Sequence, residues 1–254
     1  MSKTVRNTRN PASSPRRTAR PAVVFITAHP DDVAFACGGA AWLLKDRYRL
    51  HVLCASKGER GYRRQRGRRG GPTPPSAAFG AIRAAEEQAA CELLGASLTF
   101  LGQIDGDIHP DKPVCDTVAG ILTTIAPVAV ITHGPFEKKD HSATFSIAYQ
   151  ALHLSGRFWE TDLCMLHQMD GSYSLHYPCI LVDISAVIEQ KKALIRCHRS
   201  HLDDENAVDR LIEQNRVFGR MTFCEYAEAF VSPFPMVNKR WGRTPECGRI
   251  LLDL

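Results

Sequence analysis

Residues 22–28 read AVVFITA and residues 29–32 read HPDD, and this junction decides the fold. A run of that length with no charge and five β-branched or aromatic residues between its alanines reads as a strand buried on both faces, the kind found in parallel sheets. The polar tetrad then falls at the strand's C-terminal end, and a helical stretch follows from Val33 to Lys45. Working outward, further strands are expected at Leu50–Ala55, Ser97–Leu101, Val128–Thr132 and Ile180–Ile184. Helices are expected at Gly80–Leu94, closed by Gly95, and at Cys115–Ile125, Ser185–Cys197 and Asn206–Phe218. This alternation predicts an α/β fold with a mainly parallel sheet covered by helices on both faces.

The chain has 254 residues, 44% apolar and 23% charged, which is ordinary globular composition with ample length for a core. No apolar run approaches the roughly 18 residues of a membrane-spanning helix. Residues 1–20 hold six cations and no acid, without the apolar stretch of a secretory or twin-arginine signal, and read as a disordered basic tail. A second basic segment, 57–69, carries seven cations against Glu59. These segments hold +6 each, so the net charge of +5 leaves the rest of the chain at −7. The body is acidic, and nucleic acid is not the expected partner. Residues 57–79 form a long Arg/Gly/Pro-rich loop at a strand's C-terminal end, where open α/β sheets place ligands. With no linker and no internal repeat, residues 21–254 are expected to be one domain. Nine cysteines without a C-x-x-C pair read as buried free thiols in a reducing cytoplasm.

His29 and Asp32, three positions apart at the strand end, can share one ion across the turn, with Pro30 restraining the backbone between them. Asp31 then lies beside the ion without having to be a ligand, placed to take a proton from water. The same residues also suit a turn and a helix cap. A catalytic zinc needs a third protein ligand, and Asp140-His141 follows the strand Val128–Thr132 by a short loop. His133, directly after that strand, is a further candidate. Two imidazoles and a carboxylate suit zinc, iron(II) or another divalent ion. His51, His198 and His201 read as structural. The chain has neither a G-x-G-x-x-G after its first strand nor an H-E-x-x-H, which argues against a dinucleotide oxidoreductase and that class of metalloprotease.

These residues carry a resemblance. His29-Pro30-Asp31-Asp32, Cys37-Gly38-Gly39, Arg83 and Glu86 in RAAE, Asp105-Gly106 and Asp140-His141 resemble the LmbE-like, or PIG-L, family of zinc-dependent N-deacetylases. Val182-Asp183-Ile184-Ser185, Lys192-Ala193-Leu194 and His198-x-Ser200 extend the likeness, which covers about residues 22–201. The resemblance implies a Rossmann-like fold and one divalent ion, usually zinc. It implies His29, Asp32 and His141 as ligands and Asp31 as the general base that activates water against an acetamide carbonyl, often on an amino sugar. Arg83 and Asp105 match positions that contact polar substrate groups. From the residues alone, Arg83 reads equally well as an ion-pair partner of Glu86 on a solvated helix face.

The chain departs from the family at Lys138-Lys139-Asp140-His141, where His-Pro-Asp-His is usual, so the charge that steadies the oxyanion is assigned to Lys138 or to His133. The leading expectation is hydrolysis of an N-acetyl group on an amino sugar or sugar-containing small molecule, such as a natural-product intermediate. An amidase acting on a thiol-sugar conjugate or a lipidated antibiotic is the first alternative. A non-catalytic module that binds sugar, or nucleic acid through its Arg-rich loop, is the second. The expected partner is a small N-acylated molecule, a homo-oligomer is compatible with the sequence, and no partner membrane is implied.

Overall fold

The strand anticipated at the start of the chain runs through the middle of the sheet. The computed structural model describes residues 20–61, 75–167, 179–232, 250–251 and 254. The expected basic tail (save Arg20) and the Arg-rich residues 62–74 of the loop lie outside this set.

β1 (Ala22–Thr27) is fully buried, with Val23 and Phe25 in the core on one face and Val24 and Ile26 in the core on the other. It pairs in parallel with β2 (Arg49–Ser56) on one side and β4 (Ala129–Thr132) on the other. Beyond β2 lies β3 (Ser97–Gln103), and beyond β4 lies β5 (Asp162–Leu166), both parallel. The far edge turns antiparallel through β7 (Ala227–Val231) and β6 (Cys179–Asp183), so the order is β3-β2-β1-β4-β5-β7-β6. One face is covered by α1 (Asp32–Leu44), α2 (Ala77–Leu94), α5 (Ile188–Cys197) and α6 (Ala207–Thr222). The other is covered by α3 (Lys112–Ile125) and α4 (Lys139–Leu154). The expected α/β class and the mainly parallel, two-sided sheet are found.

After β1 the chain builds outward through β2 and β3, then crosses back to add β4 on the opposite side of β1. That reversal opens a crevice beyond the C-terminal ends of β1 and β4, the place where open parallel sheets bind ligands. The loops that follow β1, β2, β3 and β4 all reach the cleft, and the turn after α5 and the helix α6 complete it.

Several elements were not anticipated. α4, β5 and β7 are absent from the sequence expectation, and α2 starts at Ala77, so the connection before it ends at Ser76, three residues earlier than expected. The Ser76 hydroxyl accepts from the Phe79 amide and caps the helix there. Gly95 closes α2 as expected, and Asp111 caps α3 through the Val114 amide. Cys37, Cys54, Cys91, Cys115 and Cys164 are buried free thiols, while Cys197 and Cys224 are only partly buried. Among the described residues, no helix is long and apolar enough to cross a membrane.

Candidate metal centre

The β1–α1 turn brings His29, Asp31 and Asp32 to the crevice. The β4–α4 connection brings His141, in the first turn of α4. One ligand atom from each of His29, Asp32 and His141 falls within a 4.8 Å cluster.

Asp32 is locked by its own turn. Its Oδ2 accepts from the amides of Ala28 (3.0 Å) and His29 (2.8 Å) and contacts His133 Nε2 at 3.0 Å. Its Oδ1 faces His141 Nε2 at 3.6 Å. The other nitrogen of His141, Nδ1, is 2.6 Å from Glu137 Oε2. His29 is held in the same manner. Its Nε2 lies 3.1 Å from Asp140 and 3.2 Å from Asp105, which turns Nδ1 toward Asp32 at 3.8 Å. Each imidazole therefore has one nitrogen engaged by a carboxylate and the other directed at Asp32, the outer-shell arrangement that fixes tautomer and ring angle around a metal.

The electrostatics agree with a cation site. Burial opposes charge on His29, but Asp105, Asp140 and Asp32 outweigh it and raise its pKa to about 10. Burial likewise opposes charge on His133, yet Asp32 and Glu137 lift it to about 9. Glu137 is pulled down to about 2 against its burial by His133 and His141. Asp32 is held well below the usual carboxylate range, again against burial, by His133, His141 and His29. The carboxylates thus gather positive charge where a divalent ion would supply it. Two imidazoles and a carboxylate, each steadied from behind, fit zinc or iron(II).

Asp31 sits beside this cluster with φ 96°, a left-handed conformation uncommon outside glycine. Three contacts hold it there. Its amide donates to Glu87 Oε2 at 2.9 Å, while its Oδ2 meets Arg83 Nη2 at 2.6 Å and His201 Nδ1 at 2.8 Å. Arg83 also donates to the carbonyls of Pro30 and Gly58. Burial pushes Glu87 up to about 8, only partly offset by the Asp31 amide, so it is a neutral acid near pH 7.

A cleft of about 340 Å³ opens above the cluster, lined by His29, Asp31, Asp32, Asp105, Lys138 and His141, with Arg83 and Gly61 at one side. Phe35, His201, Leu211 and Gln214 complete the wall.

The structure brings together His29, Asp31, Asp32, His141, Arg83, Asp105 and Lys138. It does not bring His133 to the cleft. His133 is fully buried behind Asp32, between that carboxylate at 3.0 Å and Glu137 at 3.3 Å. Arg83 is not on a solvated helix face: it is 3% exposed and turned onto Asp31, while Glu86 accepts from Ser200. Asp105 accepts from the Arg60 amide and holds His29 as well as lining the cleft. His198 is buried beside Phe35, its pKa lowered by burial, and fits the structural reading. His201 does not fit it, because it touches Asp31. Glu137 and Glu87 also escaped the sequence reading; Asp140 and Glu86 are in its motifs, but their contacts with His29 and Ser200 were not foreseen. Glu137 and Asp140 had a local signal, four and one residues before His141, but their roles depend on α4 starting at Lys139.

The fold and the site together define an α/β protein with two histidines and an aspartate that could hold a metal ion at the switch point of a mainly parallel sheet. The chain belongs to the PIG-L family (GlcNAc-PI de-N-acetylase), whose model matches residues 24–152, just over half its length. Enzymes of more than one kind are among its relatives. The 4-oxalmesaconate hydratase of Pseudomonas putida is 28% identical over 242 residues, covering 87% of this chain and 93% of that protein. The conserved protein TT1542 from Thermus thermophilus superposes with a TM-score of 0.67 at 26% identity, covering 87% of this chain and 99% of its own. N,N'-diacetylchitobiose deacetylase from Pyrococcus horikoshii shares the fold with a TM-score of 0.68 at 23% identity, covering 84% of each chain.

Proposed function

We propose that this chain is a metal-dependent amide hydrolase that removes the N-acetyl group from an amino sugar or a sugar-containing small molecule. The observation that carries this reading is the position of Asp31. It is a buried carboxylate held in a left-handed turn between two candidate ligands, lining the same cleft but engaged by Arg83 and His201 instead of the histidine cluster.

His29, Asp32 and His141 would hold the ion, with zinc the first choice and iron(II) the second. Such an ion supplies Lewis acidity, acidifying a water and steadying charge on the carbonyl oxygen. Asp31, lining the cleft beside these residues, would take a proton from the attacking water. Lys138, at the cleft and at the N-terminus of α4, adds positive charge near the acyl oxygen. Arg83 and Glu87 keep Asp31 in place through its carboxylate and its amide. Asp105 faces both His29 and the cleft, where its carboxylate is placed to accept from sugar hydroxyls.

A second reading, hydration of an unsaturated carboxylic acid, is favoured by the likeness to the hydratase, which spans most of both chains. The same base and the same cation site would serve it, with Lys138 facing a carboxylate. The experiment separates the two. Zinc- and iron-loaded protein is given N-acetyl amino sugars and, in parallel, conjugated unsaturated dicarboxylates. The proposal expects equimolar acetate and free amine, abolished by chelators. It also expects Asp31→Asn to retain metal and to lose about 10²–10⁴-fold in turnover. Loss of diene absorbance with no amine released would establish the hydratase reading instead.

A further inference from the structure

His201 stands 170 positions from Asp31 in the chain, yet its Nδ1 lies 2.8 Å from Asp31 Oδ2. The contact is built. The short 3-10 turn Arg199–His201 is fastened to α2, where the amide and hydroxyl of Ser200 both donate to the Glu86 carboxylate, at 2.7 and 2.6 Å. The same helix face supplies Arg83 and Glu87, so a single element positions Asp31 from below and His201 from the side. Phe35 meets the His201 ring edge-on, with centroids 5.4 Å apart at 89°, which sets the ring plane. Unlike Arg83, whose side chain is 4% exposed, the His201 side chain is 48% exposed and lines the cleft. Nδ1 is committed to Asp31, and among the described residues Nε2 has no protein partner.

We propose that His201 is the group that protonates the leaving nitrogen. This inference rests on the amide-hydrolase reading. The step runs through the acid form of His201, with a proton on each imidazole nitrogen and Nδ1–H donating to the Asp31 carboxylate 2.8 Å away. Water adds its oxygen to the acyl carbon and gives one proton to Asp31. The C–N bond breaks with its electron pair going to nitrogen, and that nitrogen takes the Nε2 proton of His201. The pair begins and ends with two protons: the Nε2 proton has left with the amine, a water proton has arrived on Asp31, and each residue now carries one. The half-exposed ring regains its Nε2 proton from solvent as Asp31 gives up its own. The sum is amide plus water to carboxylic acid plus amine. Arg83 cannot do this work, because its guanidinium stays charged and is occupied by Asp31, Pro30 and Gly58.

The test compares leaving groups. Zinc-loaded wild type, His201→Gln and His201→Ala are assayed on two amides, N-acetyl-D-glucosamine and 4-nitroacetanilide, and on 4-nitrophenyl acetate, whose phenolate leaves without a proton. Metal content and thermal midpoint are measured alongside. For His201→Gln the amide kcat is expected to fall about 10²-fold or more, with the ester rate reduced far less and metal content unchanged. Added imidazole should restore part of the amide rate in His201→Ala. Equal losses on amides and ester would overturn the inference and leave His201 as a prop for Asp31. Undiminished amide cleavage by the variants would overturn it as well. Failure of wild type to cleave either amide while remaining loaded with metal would instead remove the amide-hydrolase reading, and this inference with it.

Discussion

Lys191 and Glu228 form a fully buried ion pair, Nζ to Oε1 at 2.6 Å, inserted into a break in the helix that begins with Asp32. In an unbroken helix the Gly39 amide would donate to the Phe35 carbonyl. Here Cys37 leaves the helical conformation (φ −143°, ψ 23°), and the two ends of that lost bond are taken up separately. Gly39 N–H donates to Glu228 Oε1 at 2.9 Å, and Lys191 donates to the Phe35 carbonyl at 2.9 Å. Ala40 N–H donates to Oε2 at 2.7 Å. Because α1 carries Asp32 at its start and Phe35 on the cleft wall, this pair fixes one side of the site. Lys191→Met would leave the buried Glu228 carboxyl without its cation, held only by the Gly39 and Ala40 amides, at a cost of about 3–5 kcal/mol. Urea unfolding measures it. A loss below about 1 kcal/mol would show that the pair is not what holds the break.

The turn Gly58–Gly61 is shaped around Arg83. Gly58 has φ +67°, and a Cβ there would lie 2.1 Å from Arg83 Nη1; at Gly61 the same atom would be 2.7 Å away. Gly61→Ala is expected to fold and bind metal, and to lower turnover at least tenfold by displacing the guanidinium that holds Asp31. Turnover equal to wild type would mean that Asp31 keeps its place without Arg83.

Glu137 lies behind two imidazoles, its side chain fully buried, 2.6 Å from His141 and 3.3 Å from His133. Glu137→Gln is expected to weaken zinc affinity about 10–100-fold, read by competition with a chromogenic chelator. Unchanged affinity would detach Glu137 from the centre.

Glu87 gives a pH signature of stability. Its pKa is about 8 in the folded chain against an ordinary 4.5, so the fold holds a proton that the unfolded chain releases. Its contribution is therefore fully present below about pH 4.5 and is lost as pH rises through about 8. Glu87→Gln keeps an acceptor for the Asp31 amide and cannot ionise. Its urea midpoint should gain on wild type steadily from pH 5 to pH 8.5. Parallel curves would contradict a neutral Glu87.

The candidate cluster of His29, Asp32 and His141 is legible in the sequence because its parts need only local order. His29 and Asp32 are one turn apart at the end of an uncharged strand, and His141 follows another such strand by a short loop. What supports them was hidden by distance or by weak local signals. α4 mixes polar and apolar residues without a sharp apolar face, so Glu137 and Asp140 read as loop residues. β7 is five residues long with Glu228 at its second position, and a buried acid there makes sense only once Lys191 is packed against it. Arg83, Glu86 and Glu87 share a helix face that resembles a solvated one, and only the folded chain shows Asp31, Ser200 and the Asp31 amide waiting for them. His201 meets Asp31 through tertiary packing alone.

In the reading proposed above, His29, Asp32 and His141 hold one divalent ion beside Asp31. Elemental analysis of purified, dialysed protein, with Asp32→Ala and Asp31→Asn beside it, tests this most directly. About one zinc or iron per chain is expected in the wild type and in Asp31→Asn, and none in Asp32→Ala. Wild-type protein that is metal-free and takes up no added zinc, or an Asp32→Ala variant that holds its ion as tightly as wild type, would contradict it.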